Sequence, residues 1–201
     1  GLRHEGLLFA ACAEASARLE AFNAQDIANM VYSLGILAYR RDAFLRAVCV
    51  HASAQLASFK PQEVSNTVYA MALLGYLHGA FLRAVCEHVP ARLAGFKTQE
   101  IANTVYALGI LGFKHRGFLR DVCSHAVVRI RDFNGQDTSN TIYALSLLGY
   151  AHGGFLRALC ANVPARLGSF KAQEVANTTH ALALLVFTHR RRQGADSLQG
   201  S

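Results

Sequence analysis

The sequence predicts an all-α fold, an α-solenoid of stacked helix-turn-helix hairpins with a 37-residue period. Three observations carry the prediction. Phe recurs at 22, 59, 96, 133 and 170, with every gap equal to 37. Gln25, Gln62, Gln99, Gln136 and Gln173 keep that register, as do Asn29, Asn66, Asn103, Asn140 and Asn177 and the five cysteines Cys12, Cys49, Cys86, Cys123 and Cys160. Within a copy, apolar residues such as Val64, Val68, Met71 and Leu74 return at close to helical spacing. A fixed period in the range of roughly 20 to 50 residues is the signature of a stacked array of supersecondary units.

The copy at 59–95 shows how each unit is built. Pro61 suits the first position of a helix, where its missing N–H costs nothing. An acidic residue follows the Gln in every copy, at Asp26, Glu63, Glu100, Asp137 and Glu174, where the helix dipole stabilises negative charge. Gly75, Gly112 and Gly149 stand where the first helix should stop. After a link such as His78-Gly79, a second helix carries Phe81, Leu82, Val85, Cys86, Val89 and Leu93 on one broad face. Pro90 and Pro164 fall inside that helix two repeats apart, each within Val-Pro-Ala-Arg-Leu, and should kink or split it. Their spacing hints at duplication of a two-repeat unit.

The predicted organisation is a single α-solenoid over 1–188. It begins with an orphan second helix at about 5–21, continues through repeats 22–58, 59–95, 96–132 and 133–169, and ends in a first helix at 170–188. Both ends fall mid-unit without the polar face of a capping repeat, so a longer array or a docked neighbour is expected. Residues 189–201, which open on a basic run, read as a disordered tail.

Composition narrows the function classes. Just over half the residues are apolar and 16% are charged, which excludes a disordered chain. Lys plus Arg outnumber Asp plus Glu by 20 to 13, a formal charge of +7 that favours polyanionic partners. No apolar run reaches the ~18 residues of a membrane span, so no membrane partner is expected. The first residues do not read as a signal or transit peptide. The cysteines never pair as C-x-x-C and lie on an apolar face, which reads as core thiols in a reducing compartment rather than a metal site. A phosphate-cradling Gly-rich loop, an H-E-x-x-H pair and a nucleophile elbow are all missing. The expectation is therefore no enzyme, no metal and no cofactor.

Two ladders are the candidate binding residues. At about 100° per residue, Gln62, Asn66 and Leu73 share one side of the first helix and Val64, Val68, Met71 and Gly75 lie opposite. Tyr32, Tyr69, Tyr106 and Tyr143 flank the Gln/Asn stripe, with His180 in the last copy. Amides can bond base edges or phosphates and Tyr can stack on bases. The plainer alternative is that the Asn side chains satisfy backbone groups and the Tyr rings pack in the core. Because the rungs do not vary between copies, they can fix register on a backbone but cannot spell a code. The second ladder is Arg46, Arg83, Arg120 and Arg157, suited to phosphates unless each Arg is paired with a carboxylate. Arg92, Arg129 and Arg166 form a further row, broken by Gln55. His78, His115, His152 and His189 sit in the link and read as turn chemistry.

The segment 96–112, Phe-x-x-Gln-Glu-Ile-Ala-Asn-Thr-Val-Tyr-Ala-Leu-Gly-Ile-Leu-Gly, resembles the first helix of octotricopeptide-type repeats of algal organelle proteins. The period is more similar to that of their heptatricopeptide relatives from protist mitochondria. The resemblance covers about residues 5–188 and implies an organellar RNA-binding α-solenoid. Such proteins serve in transcript maturation, stability and translation, or hold ribosomal RNA as constituents of mitochondrial ribosomes. Nothing here resembles the nuclease-like RAP domain of some relatives. The expected partners are organellar RNA, including rRNA, and neighbouring proteins of a ribonucleoprotein, in the mitochondrion or alternatively the chloroplast. The expected mechanism is one concave basic groove in which the Arg46 row meets phosphates beside the Gln/Asn stripe. The rival is a protein–protein scaffold; whether the two ladders share one open face separates these readings.

Overall fold

Capping chemistry written in the sequence sets where each helix begins. In the computed structural model, which describes the backbone of residues 5–198 and the side chains of 5–186, the first helices of the hairpins are α2 (Ala24–Ile36), α4 (Pro61–Leu73), α6 (Thr98–Ile110), α8 (Gly135–Leu147) and α10 (Ala172–Leu198). The second helices are α1 (Glu5–Ala17), α3 (Asp42–Ala54), α5 (Gly79–His88), α7 (Arg116–Val128) and α9 (Gly153–Asn162). The acidic residue of each first turn bonds back to the residue before the helix. Glu63 accepts the Lys60 N–H at 2.7 Å and Glu100 the Lys97 N–H at 2.7 Å. Asn23 with Asp26, and Asn134 with Asp137, satisfy each other's N–H reciprocally.

α2, α4, α6 and α8 are each followed by a left-handed residue. Gly75, Gly112 and Gly149 have φ of 59°, 66° and 55°, and Ala38 takes the same place at 50°. The next amide folds back, Tyr76 N–H to the Met71 carbonyl and Tyr39 N–H to the Leu34 carbonyl, both at 2.9 Å. The His residues of the link cap the second helices. Nδ1 of His78, His115 and His152 accepts the N–H of Phe81, Phe118 and Phe155 at 3.2, 3.1 and 3.1 Å. His189 lies outside the described side chains.

Pro90 and Pro164 split their helices. α3 and α7 run for 13 residues, whereas α5 and α9 stop after 10 and resume as 3-10 segments, Pro90–Gly95 and Pro164–Ser169.

The chain divides into two compact units, Gly1–Phe96 and Lys97–Ser201. In the first, α2 packs along α4, while α1, α3 and α5 pack in sequence beside them. In the second, α6, α8 and α10 pack in a row and α7 packs on α9. Each unit is thus a two-layer stack of hairpins, an α-solenoid arrangement with no strand among the described residues. The first-helix layer is tight because small residues face each other: a Cβ on Gly109 would come 2.8 Å from Ala144 Cα, and one on Gly35 3.4 Å from Ala70 Cα. Between the layers lies the core, including Val64, Val68 and Met71 on α4 and Phe44, Leu45, Val48 and Cys49 on α3, all at most 3% exposed. Cys49 Sγ touches Met71 Sδ at 4.0 Å across it.

Long cations tie each repeat to its neighbour inside a unit. Arg40 donates to the Gly75 carbonyl at 2.9 Å, and Lys114, two repeats on, to the Gly149 carbonyl at 3.0 Å. In the other direction Arg92 donates to the Leu56 and Phe59 carbonyls, and Arg166 to those of Ile130 and Phe133. Arg40 and Lys114 stand two repeats apart, the same spacing as Pro90 and Pro164.

α10 runs from Ala172 to Leu198, and residues 199–201 of the basic tail lie outside the described residues. One expectation is corrected. Cys160 is exposed, unlike Cys12, Cys49, Cys86 and Cys123. α9 is the last helix of its layer among the described residues. No helix of the described residues is long and apolar enough to cross a membrane.

Candidate nucleic-acid interface

Each first helix presents one stripe away from its own buried face. From the N-terminal end it reads Gln, then Asn four residues on, Tyr three further, and Ile or Leu four further. These spacings keep all four within one narrow sector of a helix. The opposite sector holds the core residues, as Val64, Val68 and Met71 do on α4.

The five Gln side chains are exposed. Asn29 is exposed, and Asn66, Asn103, Asn140 and Asn177 are half-buried. Among the described residues none of these ten amides has a hydrogen bond from its side chain to the protein. The Asn residues therefore do not satisfy backbone groups. Tyr69, Tyr106 and Tyr143 are half-buried and Tyr32 is 36% exposed, so the ring row lines the open face rather than the core. Tyr106 and Tyr143 stack with centroids 6.3 Å apart. His180, which replaces Tyr in the last copy, is exposed.

Sequence reasoning missed the cations at the start of the stripe. Lys60, Lys97 and Lys171 occupy the position before α4, α6 and α10 and are exposed. Each gives its backbone N–H to the first-turn carboxylate, which leaves the ammonium in solvent beside a positive helix end. Asn23 and Asn134 hold the same place in the other two copies, so the row does not stand out as a repeat. In the first unit Lys60 and Glu63, with Gln25, Gln55 and Ser58, line an open depression of about 460 Å³.

The Arg46 row lies elsewhere. Arg46, Arg83, Arg120 and Arg157 are exposed. Arg120 pairs with Asp121 at 2.8 Å, and the other three make no ion pair among the described residues. On α5, Phe81, Leu82, Val85 and Cys86 are buried, and Arg83 falls on the far side of the wheel from them. The Arg row therefore looks outward from the second-helix layer, and the Gln/Asn stripe outward from the first-helix layer. The single groove expected to combine them is corrected: a hairpin joins its helices through their apolar sectors, so the residues opposite those sectors face apart. The Arg92 row is occupied structurally, by backbone carbonyls for Arg92 and Arg166 and by Asp132 at 3.1 Å for Arg129.

Perturbed titratable groups are scattered. Burial pushes the thiols of Cys49, Cys86 and Cys123 up to about 12. Burial, opposed by the Thr98 hydroxyl at 2.8 Å, raises the Asp137 carboxyl. Among the described residues no three His, Cys, Asp or Glu side chains group as metal ligands.

Residues 1–194 match the family of the RNA-editing substrate-binding complex 8 protein. The chain belongs to the RESC8 family. No curated protein matches the sequence. RESC8 is a helical family of mitochondrial RNA-editing complexes, which gives this chain an organellar, RNA-related setting and supports the mitochondrion; nothing in the match supports the chloroplast.

Proposed function

We propose that this RESC8-family chain is a non-catalytic RNA-binding subunit of a mitochondrial RNA-processing assembly, with RNA lying across the first-helix stripe of each unit. The observation that carries the reading is the set of ten amides, repeated on five helices and with no side-chain hydrogen bond among the described residues. An amide presents both donors and an acceptor, and a row of them offers the same contact at each step. The Lys residues at the helix starts meet phosphates, and the Tyr rings offer faces on which any base can stack. Identical rungs bind without reading sequence.

The family name favours an RNA that is edited or processed over ribosomal RNA, although the octotricopeptide-like and heptatricopeptide-like repeat also fits a mitoribosomal constituent. The contacts invoked need no cofactor or metal. The Arg46 row is a second surface that adds long-range attraction. A protein–protein scaffold is the other reading, and the aliphatic end of the stripe gives it a specific footing.

RNA binding across a salt series tests the proposal in three proteins: wild type, Gln62→Ala/Gln99→Ala/Gln136→Ala, and Arg46→Ala/Arg83→Ala/Arg120→Ala/Arg157→Ala. The Gln variant is expected to bind about tenfold more weakly at every salt concentration. The Arg variant is expected to keep most of its affinity and a shallower salt dependence, the remainder resting on the Lys contacts. Loss confined to the Arg variant would move the interface to the second-helix layer. Absence of binding at low salt would leave the scaffold reading.

A further inference from the structure

The Lys, amide and aromatic part of the stripe does not use its last rung. At the fourth rung of each first helix, the C-terminal residue of α2, α4, α6 and α8, an aliphatic side chain is exposed: Ile36 by 63%, Leu73 by 41%, Ile110 by 45%, Leu147 by 45% and Leu184 by 38%. One exposed Leu or Ile needs no explanation. The same position, aliphatic and open in all five copies, is a pattern that core packing does not require, since these side chains point away from the core. In the second unit α6 and α8 lie side by side, and the Tyr106–Tyr143 stack one turn earlier joins their rungs into a continuous apolar strip. RNA phosphates and sugars have no complement in Ile or Leu.

Charge around the strip is one-sided. Residues 101–120 and 138–173, which include α6 after its first turn, most of α8 and the links that follow both, contain no Asp or Glu. Lys114, in the link after α6, and Arg116, the first residue of α7, follow the strip in the chain. Spacing adds a geometric match. Packed helices stand about 8–10 Å apart, and seven residues of a helix rise about 10.5 Å. A helix laid across α6 and α8 would therefore set one apolar residue on each rung at heptad spacing.

We infer that the aliphatic end of the first-helix face in the second unit is a docking strip for an acidic amphipathic helix of a partner protein, lying across Ile110 and Leu147 with its carboxylates toward Lys114 and Arg116. Ile110 and Leu147 lie one turn beyond the Tyr106–Tyr143 pair, which borders both this surface and the amide half that the RNA reading uses.

Fluorescence anisotropy with three labelled synthetic helices tests it on the full chain. One has Leu at heptad-related positions flanked by Glu, the second has Lys in place of Glu, and the third has Ser in place of Leu. The Glu-flanked helix is expected to bind the wild type at least about tenfold more tightly than either control. Ile110→Ser/Leu147→Ser is expected to lose that advantage while keeping helix content and RNA affinity. Gln99→Ala/Gln136→Ala is expected to keep helix binding whatever it does to RNA. Equal binding of the Glu and Lys helices, or unchanged binding by the Ile110/Leu147 variant, would overturn the inference. So would loss of RNA binding in that variant, which would give the strip to RNA, or a wild-type dimer in sedimentation that it abolishes, which would give the strip to a second copy.

Discussion

Arg92 reaches back 33 residues to donate from its guanidinium to the Phe59 carbonyl at 2.8 Å. A second donor meets the Leu56 carbonyl at 3.2 Å. Both acceptors lie where the second helix of one repeat turns toward α4 of the next, so one fork fastens two repeats at their seam. Fork geometry matters here, because the planar guanidinium holds its donors at a fixed spacing that fits both carbonyls, whereas an ammonium on a flexible stem must be ordered to reach them. Arg92→Ala is expected to destabilise the first unit by roughly 1–3 kcal/mol, the range for hydrogen bonds to a charged donor. Arg92→Lys should recover only part of that. Urea unfolding followed by hydrogen exchange at α3, α4 and α5 would check it, and an unchanged midpoint would reject the fastening role.

Ala38 holds a left-handed conformation, φ 50°, that three other copies give to Gly. A side chain there costs about 1–2 kcal/mol relative to right-handed backbone. Ala38→Gly should therefore raise the thermal midpoint, with a gain of about 0.5–1 kcal/mol. Gly112→Ala should lower it by a similar amount. Scanning calorimetry of the pair gives opposite signs if the turn geometry is as described.

His115 is a cap by virtue of a lone pair on Nδ1. His115→Ala leaves the Phe118 N–H without that partner and should cost about 0.5–2 kcal/mol, whereas Asn at the same position can accept the bond. Equal destabilisation by Ala and Asn in denaturant melts would mean that the ring acts by packing.

His88 and His125 should make stability fall in mild acid. Burial, then the neighbouring Arg92 or Arg129, holds each ring below the ordinary His value. The unfolded chain then takes up protons first as pH drops through about 6.5. Stability contributed by these neutral rings is present above that pH and is lost as pH falls toward the folded values. Urea midpoints at neutral and mildly acid pH should diverge in the wild type. They should diverge less in His88→Gln/His125→Gln; an identical slope would exclude the two rings.

Thiol labelling should be selective. With Cys49, Cys86 and Cys123 pushed to about 12 by burial, almost no thiolate exists near neutral pH in the folded chain. Cys160 is exposed. Mass spectrometry after brief alkylation should find Cys160 modified first, and early labelling of Cys86 would show that its unit opens readily.

The linear sequence by itself determined the repeat, the hairpin and the helix ends. Phe59, Gln62 and Asn66 fix the register, Glu63 and Pro61 the start, and Gly75 the stop, because capping and helical periodicity are local and act within a few residues of the chain. Tertiary structure decided which rows share a surface. Two ladders with the same period carry no information about their relative direction until the apolar sectors of α4 and α5 are packed against a common core. That packing turns Gln62 and Arg83 to opposite layers. It also decided that Arg92 is spent on carbonyls of the preceding repeat, that the Asn amides have no side-chain bond among the described residues, and that Leu73 stands in the open. Each of these outcomes depends on which neighbour a side chain meets across roughly 30 to 40 residues of sequence, a distance at which local rules do not act.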